Sequence, residues 1–348
     1  MKFGWKGVLG IILSLVCLYY AFRNFDFAAA LQAAKKANYT LLGLSVVAAT
    51  MMFPLRARRW RTILDPVAPE PVPFGPLWRA VAIGVMMTNI LPARAGELAR
   101  PYALSREIRD IPLPMSLASV AVDRVFDAIV VMLLLGVSTL EPGFPQTLTI
   151  NDRTFAITQL VRGFIGLPIV LVIGLYALVF FPKQLIRLFE LFAGRISKTL
   201  EKRGGDMLRR FADGLSVLRN PIHFFAVFGW TLLHWLVQPL AFWLGFKAFG
   251  IEVPLLVTLF VQGVIVIVVA LPSTPGFIGL FEAASVASLG AYGVNQTLAG
   301  TWATVFHLLS YIPITLFGAY YFARAGMTMN EIGAAKQPEV PSSPTAPA

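Results

Sequence analysis

Apolar residues in this chain gather into long runs and rarely alternate with polar ones. "GWKGVLGIILSLVCLYYAF" and "FIGLPIVLVIGLYALVFF" each approach the roughly 20 apolar residues that cross a bilayer. Taken run by run, the pattern predicts six full transmembrane helices, at about 5–22, 40–55, 113–140, 163–181, 222–249 and 298–322. Two further apolar stretches are interrupted by helix breakers. One is 77–97, "LWRAVAIGVMMTNILPARAGE"; the other is 254–293, which contains "ALPSTPGFIGLFE". Proline removes a backbone donor and forbids a continuous helix, so each stretch predicts a hairpin that enters and leaves the membrane on one side. Irregular backbone at that depth is tolerated only where protein or a wet cavity surrounds it.

Basic residues set the expected orientation. "RARRWR" (Arg56 to Arg61) abuts the second span, and 183–219 holds nine Lys or Arg against four Asp or Glu. By the positive-inside pattern both face the cytoplasm, as does 98–110, while the charge-poor 141–162 faces outward. The two re-entrant hairpins then open from opposite faces, and both termini lie inside, in a plasma (inner) membrane. The segment "LIRLFELFAGRISKTL" has helical apolar spacing and is expected to lie along the membrane surface. The Pro- and Ser-rich tail, 327–348, is expected to be disordered.

The order span, span, hairpin, span occurs twice, in halves of about 1–140 and 163–326. Leu91-Pro92 and Leu271-Pro272, Gly96 and Gly276, and Val125-Phe126 and Val305-Phe306 recur at one constant offset. The fold class predicted is therefore an all-α polytopic membrane protein built as an inverted repeat. Many secondary transporters share this layout, with the site at the repeat interface.

Composition narrows the function. Of 348 residues 57% are hydrophobic and 14% charged, against about 25% charged in soluble domains, which excludes an ordinary soluble enzyme. The net charge of +11 is spent beside spans, so it implies no nucleic acid. The one cysteine, Cys17, and three scattered histidines, His223, His234 and His307, form neither a disulfide framework nor a metal-ligand set. Gly-rich phosphate loops with Lys, HExxH and GxSxG are absent from the sequence, and no cofactor is implied. The first run follows Lys2 and Lys6 and resembles a signal sequence, but its length predicts a retained helix.

Four places carry candidate chemistry. After Pro272 and Pro275, Ser273 or Thr274 is positioned to cap a helix restarting near Gly276. Such a helix end presents free N–H groups to an anion, and Gly276 and Gly279 permit close approach. The alternative is a packing kink. In "NILPARAGELAR", Arg94 and Glu97 flank Gly96 past the break at Pro92; they belong either at the hairpin tip, where Arg94 would fork onto a phosphate, or at the cytoplasmic surface. In "DRVFD", Asp123, Arg124 and Asp127 sit mid-span, where each charge costs roughly 2.5–3.5 kcal/mol to insert. Asp123 and Asp127 share a helix face and Arg124 reaches Asp127, giving either a structural ion pair or a ligand or proton site. Glu282, after the second break, is placed to pair with Arg94 or Arg124, or to take up a proton.

"NILPARAGELARPYAL", "DRVFD", "LPSTPGFIGLFEAA" and "RARRW" resemble the lysylphosphatidylglycerol synthase transmembrane-region family, also called the flippase-like domain family. The resemblance covers most of residues 5–325, and its PSTPG-x-x-G-x-x-E pattern is specific. It implies a flippase-like domain over 1–326 without the soluble transferase part of the two-part synthases. The function expected is translocation or binding of an anionic or polyprenyl-phosphate type membrane lipid. A separate lipid-modifying enzyme is a candidate partner. The other reading is an intramembrane lipid-modifying or glycosyltransferase-like enzyme.

Overall fold

The computed structural model describes residues 5–91, 96–150, 153–156, most of 166–215, 220–271, 274–328 and 331. Pro92, Arg94, Pro272, Ser273 and nearly all of the tail lie outside the described residues. Twelve helices can be traced among those described. They are α1 (Trp5–Phe22), α2 (Phe27–Lys36), α3 (Tyr39–Leu64), α4 (Phe74–Ile90), α5 (Gly96–Glu107) and α6 (Leu113–Ser138), followed by α7 (Pro182–Ile196), α8 (Lys198–Leu215), α9 (Pro221–Ala248), α10 (Leu255–Val269), α11 (Leu280–Gly290) and α12 (Gln296–Arg324). The described positions between 166 and 180 are also helical apart from these.

Three helices, α3, α9 and α12, are long and apolar enough to cross a membrane. The 26 residues of α6 reach about 39 Å at 1.5 Å per residue, but Asp123, Arg124 and Asp127 interrupt its apolar run. The arms α4 and α10, of 17 and 15 residues, reach only about 26 and 23 Å, short of the roughly 30 Å hydrocarbon core.

Several boundaries differ from the sequence expectation. The described residues form an all-helical fold with one short exception. Thr147–Ile150 and Arg153–Ala156 pair as an antiparallel two-stranded hairpin, with Thr147 opposite Ala156. An unexpected short helix, α2, starts where Asp26 accepts the Ala28 and Ala29 N–H groups at 2.9 and 3.0 Å. The second span does not end at 55; α3 continues through "RARRWR" to Leu64, burying Arg59, Trp60 and Ile63. The return arm of the first hairpin, α5, extends to Glu107 with Ala99, Arg100 and Leu104 buried, so 98–110 is not simply a surface loop. The segment expected along the surface is two helices, α7 and α8, packed on each other and joined by Glu190 and Arg209.

Packing brings the two halves together reciprocally. α3 and α9 run antiparallel: the Asn38 N–H donates to the Ala248 carbonyl at 2.8 Å, Ser45 Oγ to Ala241 at 2.6 Å, and His234 Nδ1 meets the Met52 carbonyl at 3.0 Å. In the first half, α4 packs on α12, where Trp78 Nε1 donates to Tyr321 at 3.3 Å and Asn89 Nδ2 to Thr315 Oγ1 at 2.8 Å. In the second half, α10 packs on α6 through Leu259 with Val130 and Leu134, and Phe260 with Leu135. Each leading arm thus lies on the last helix of the other half.

Polar caps start the long helices. Asn38 Oδ1 accepts the Thr40 and Leu41 N–H groups, each at 3.1 Å. Replacing Asn38 with Ala is expected to cost about 1 kcal/mol, the usual worth of such a cap, read as a lower unfolding midpoint in detergent.

Candidate functional site

The residues of "DRVFD" meet cations from two other helices. Asp123 and Asp127, four apart on α6, face α3. Arg59 of α3 lies between them, wholly buried, with Nη1 2.5 Å from Asp127 Oδ1 and Nη2 paired to Asp123 Oδ1. From α5, Arg100 Nη1 reaches Asp123 Oδ2 at 3.0 Å, and its guanidinium lies 4.0 Å above the Trp60 ring. Trp60 is fixed in turn by Nε1 donating to Ser119 Oγ at 2.8 Å. Arg124 stands 3.4 Å from Asp127 Oδ2 and 3.7 Å from Asp123 Oδ2, and Arg56 3.9 Å from Asp123 Oδ2. Trp235 of α9 donates Nε1 to Asp127 Oδ1 at 2.6 Å. Four guanidinium groups therefore surround two carboxylates. Beyond these ion pairs, buried N–H positions on Arg56 (Nε), Arg59 (Nε and Nη2), Arg100 (Nε and Nη2) and Arg124 (Nε), and the acceptor Asp123 Oδ1, have no hydrogen-bond partner.

Beside the cluster is a cavity of about 670 Å³, lined by Arg56, Arg100, Arg124 and Asp127, by Gly96 and Glu97 of the first hairpin, and by Gly276 of the second. Met52, Val85, Met132, Val266 and Ile267 give much of its wall an apolar surface. Asn89, His307 and Tyr311 line it as well. Arg100 packs beside Gly84, while the Tyr311 hydroxyl donates to the Asn89 carbonyl at 2.6 Å. Gly84 and Asn89 are about 7.5 Å apart along α4.

Both broken segments converge on Tyr311. Gly276 has φ +66°, a left-handed conformation that favours glycine. A Cβ there would stand 2.6 Å from Tyr311 Cε2. The same ring, through its hydroxyl, holds the carbonyl of Asn89, two residues before the first break.

The second break does not present the open helix end that its sequence suggests. Pro275–Phe277 form a single 3-10 turn, and α11 begins only at Leu280. Glu282 Oε2 accepts the Gly279 N–H at 2.7 Å, and Oε1 meets His307 Nδ1 at 2.7 Å. Glu282 therefore serves its own helix end and His307, and the expected pairing with Arg124 does not form. The Thr274 N–H donates to Ser14 Oγ at 3.1 Å, and its hydroxyl donates to the Ile278 carbonyl at 3.0 Å. Thr274, Gly279 and Glu282 are not among the described cavity-lining residues. Gly279 instead meets α1, where a Cβ would come 2.4 Å from the Ser14 carbonyl.

Of the predicted site residues, then, Asp123 and Asp127 are buried and pair with the partly exposed Arg124, and Arg124 and Asp127 lie on the cavity wall. Glu97 and Gly276 line the same space. Glu97 has an interaction of its own. Arg94 and Ser273 lie outside the described residues. Arg56, Arg59, Arg100, Trp235 and Tyr311 were not predicted as site residues. His234 is a core residue bonded to the Met52 carbonyl.

Comparison with known proteins fits this picture of a multi-pass membrane protein. The family model described as "Lysylphosphatidylglycerol synthase TM region" matches residues 7–318. A protein named Glycosyltransferase AglD, from Haloferax volcanii, is 25% identical over 333 residues, which are 89% of this chain and 53% of that protein. The chain thus spans about half the length of that relative. A UPF0104 membrane protein from Methanothermobacter thermautotrophicus is 25% identical over 305 residues, covering 81% of this chain and 84% of the relative. Another, from Methanocaldococcus jannaschii, is 22% identical over 242 residues, covering 68% and 93%. No solved structure matches the chain.

Proposed function

This chain belongs to the lysylphosphatidylglycerol synthase transmembrane-region family, and on that premise we propose that it is a lipid translocase or lipid-binding transporter for an anionic or polyprenyl-linked lipid. The observation that carries this reading is the cavity itself. Arg56, Arg100 and Arg124 line it together with Asp127 and Glu97, and much of the remaining wall is apolar. A phosphate accepts forked hydrogen bonds from guanidinium groups, and an acyl or isoprenoid chain fits the apolar wall.

In this reading α4–α5 and α10–α11 are re-entrant hairpins that enter from opposite faces. Their arms are too short to cross singly, and the antiparallel α3–α9 pair with its reciprocal packing supports an inverted repeat. Such repeats alternate access by rocking about a central site. Tyr311, holding both broken segments, is placed to couple them. The protein resides in the plasma membrane with both termini cytoplasmic, and a separate lipid-modifying enzyme supplies or consumes the lipid.

A second reading draws support from the relative named as a glycosyltransferase: chemistry on a lipid-linked substrate. Asp123 and Asp127 suit that role poorly. Each is already held by two or more arginines.

Leaflet exchange of a labelled anionic phospholipid in liposomes containing the purified protein tests the transport reading. Arg124→Ala is expected to slow exchange at least about tenfold, since a charge-assisted contact to the head group is lost. Exchange at the wild-type rate in that variant would remove Arg124 from the site. Turnover of the head group in place of exchange would favour the enzyme.

A further inference from the structure

Two titratable side chains beside the cavity take no part in the arginine cluster. Glu282 of α11 is 5% exposed and is not among the described lining residues, whereas His307, near the middle of α12, is one of them. Glu282 uses both oxygens, Oε2 for the Gly279 N–H and Oε1 for His307 Nδ1, each at 2.7 Å. Among the described residues no Lys or Arg pairs with it, and its ionisable partner is the imidazole. A buried carboxylate is costly without a cation. With Nδ1 held by Glu282, His307 Nε2 has no hydrogen bond among the described residues. The Phe281 ring packs on the imidazole, 4.4 Å between centroids. The elements around this pair add few ionisable groups. α10 and the turn Pro275–Phe277 carry none. α1, which meets Gly279 through Ser14 and Leu18, brings Cys17, while its Tyr19 and Tyr20 are exposed. α4 brings Arg79, held by Glu107. α9 brings His234, held by the Met52 carbonyl, and α2 brings Lys35 and Lys36. On α12 itself Tyr311 is bonded to the Asn89 carbonyl. Arg56, Arg100, Arg124, Asp127 and Glu97 line the same cavity as His307.

We propose that His307 binds a proton together with the anionic lipid, so that lipid and proton are taken up as a pair. This rests on the lipid-binding reading above and specifies what accompanies the lipid. The proton goes onto Nε2 from the cavity. The imidazole, which already donates Nδ1–H to Glu282, becomes an imidazolium. It then supplies the cation that Glu282 lacks and adds one positive charge to the cavity wall. An anionic head group favours the imidazolium, and the imidazolium favours the head group to the same degree.

The test titrates the purified full chain in detergent micelles with phosphatidylglycerol between about pH 5 and 8, where histidine side chains change charge. The phosphodiester of this probe keeps its single charge throughout. The wild type is expected to bind more tightly as pH falls, by up to about tenfold per pH unit, the limit for one linked proton. A pH indicator in weak buffer is expected to show proton uptake as the lipid binds. His307→Gln keeps an N–H donor for Glu282 and is expected to bind with an affinity that no longer changes with pH. If that variant does not fold, Glu282→Gln decides. It keeps an acceptor for the Gly279 N–H but removes the negative charge, and proton uptake per lipid is expected to fall several-fold. A pH dependence that survives in folded His307→Gln would assign the proton elsewhere, to Glu97 first, and overturn the proposal. Unchanged uptake in Glu282→Gln would overturn the pairing. A wild-type affinity constant across the range would overturn the proton while leaving an anionic-lipid site. Absence of binding at every pH would overturn the lipid reading as well.

Discussion

Replacing Arg59 with Met is expected to destabilise the fold by about 3–5 kcal/mol, the cost of removing one partner from a buried ion pair. Arg59 is fully buried between Asp123 and Asp127 and pairs with both, where Arg124 stands further off at 3.7 and 3.4 Å. Met fills a similar length of space but leaves Asp127 with only the Trp235 N–H at 2.6 Å and Arg124 at 3.4 Å. Arg59→Lys is expected to recover little, because an ammonium is a point charge and cannot reach two carboxylates in a fixed fork. The combination of Arg59→Met with Asp123→Asn and Asp127→Asn removes both sides of the pairing. It is expected to be more stable than Arg59→Met alone, as buried ion pairs replaced as a unit commonly are. Unfolding midpoints of the three variants in one detergent measure this. A single variant within about 1 kcal/mol of wild type would mean that water reaches both aspartates, since an exposed pair is worth no more than that.

The same cluster shows what the sequence discloses and what it hides. The three charges of "DRVFD", in the middle of a span, have to face protein or water on energetic grounds, and all of them join the same ion-pair cluster. Their partners were hidden in "RARRWR", because a run of adjacent arginines beside a span matches the positive-inside pattern. In fact α3 does not stop before the run. Arg56 and Arg59, three apart, turn toward α6, while Arg58 is exposed and lies 5.5 Å from the Trp230 ring on α9. A helical period continued through the arginines, together with two unpaired aspartates elsewhere, was the available signal. Glu282 was legible as a buried acid for the same energetic reason. Its partner His307 lies 25 residues on, in another helix, and only packing could choose it over an arginine. The strand hairpin at 147–156 had a local signal, since "TLTI" and "RTFA" flank Asn151-Asp152 with β-branched residues, but the hydrophobic runs on either side outweighed it. The two proline breaks were legible as interruptions. That they meet on Tyr311 was not, because a tyrosine within an apolar helix carries no pattern of its own.

Gly96→Ala is expected to destabilise the protein by about 3 kcal/mol, the upper end of typical overpacking costs, and to slow lipid exchange with it. The arms α4 and α5 cross with almost no space between their backbones. A Cβ on Gly96 would fall 1.8 Å from the Gly84 carbonyl oxygen and 2.2 Å from Thr88 Oγ1. Thr88 can turn its side chain by giving up its hydroxyl's bond to the Gly84 carbonyl at 3.1 Å, but a carbonyl inside α4 moves only with its helix, so the arms must separate. Arg100 is one turn along α5 from Gly96 and packs directly on Gly84, so the same separation draws its guanidinium away from Asp123 and from the cavity. Gly43 supplies the contrast: it sits in α3 with nothing within 4 Å of its added Cβ. Gly43→Ala is expected to be neutral or to stabilise by about 0.5–1 kcal/mol, the helix-propensity difference alone. Measuring both variants for unfolding and for exchange separates a general effect of glycine replacement from the crossing itself. Gly96→Ala behaving like Gly43→Ala would show that the arms stand apart. Loss of exchange in Gly96→Ala at conditions where it stays folded would tie the geometry of the crossing to the position of Arg100, and through it to the anion site.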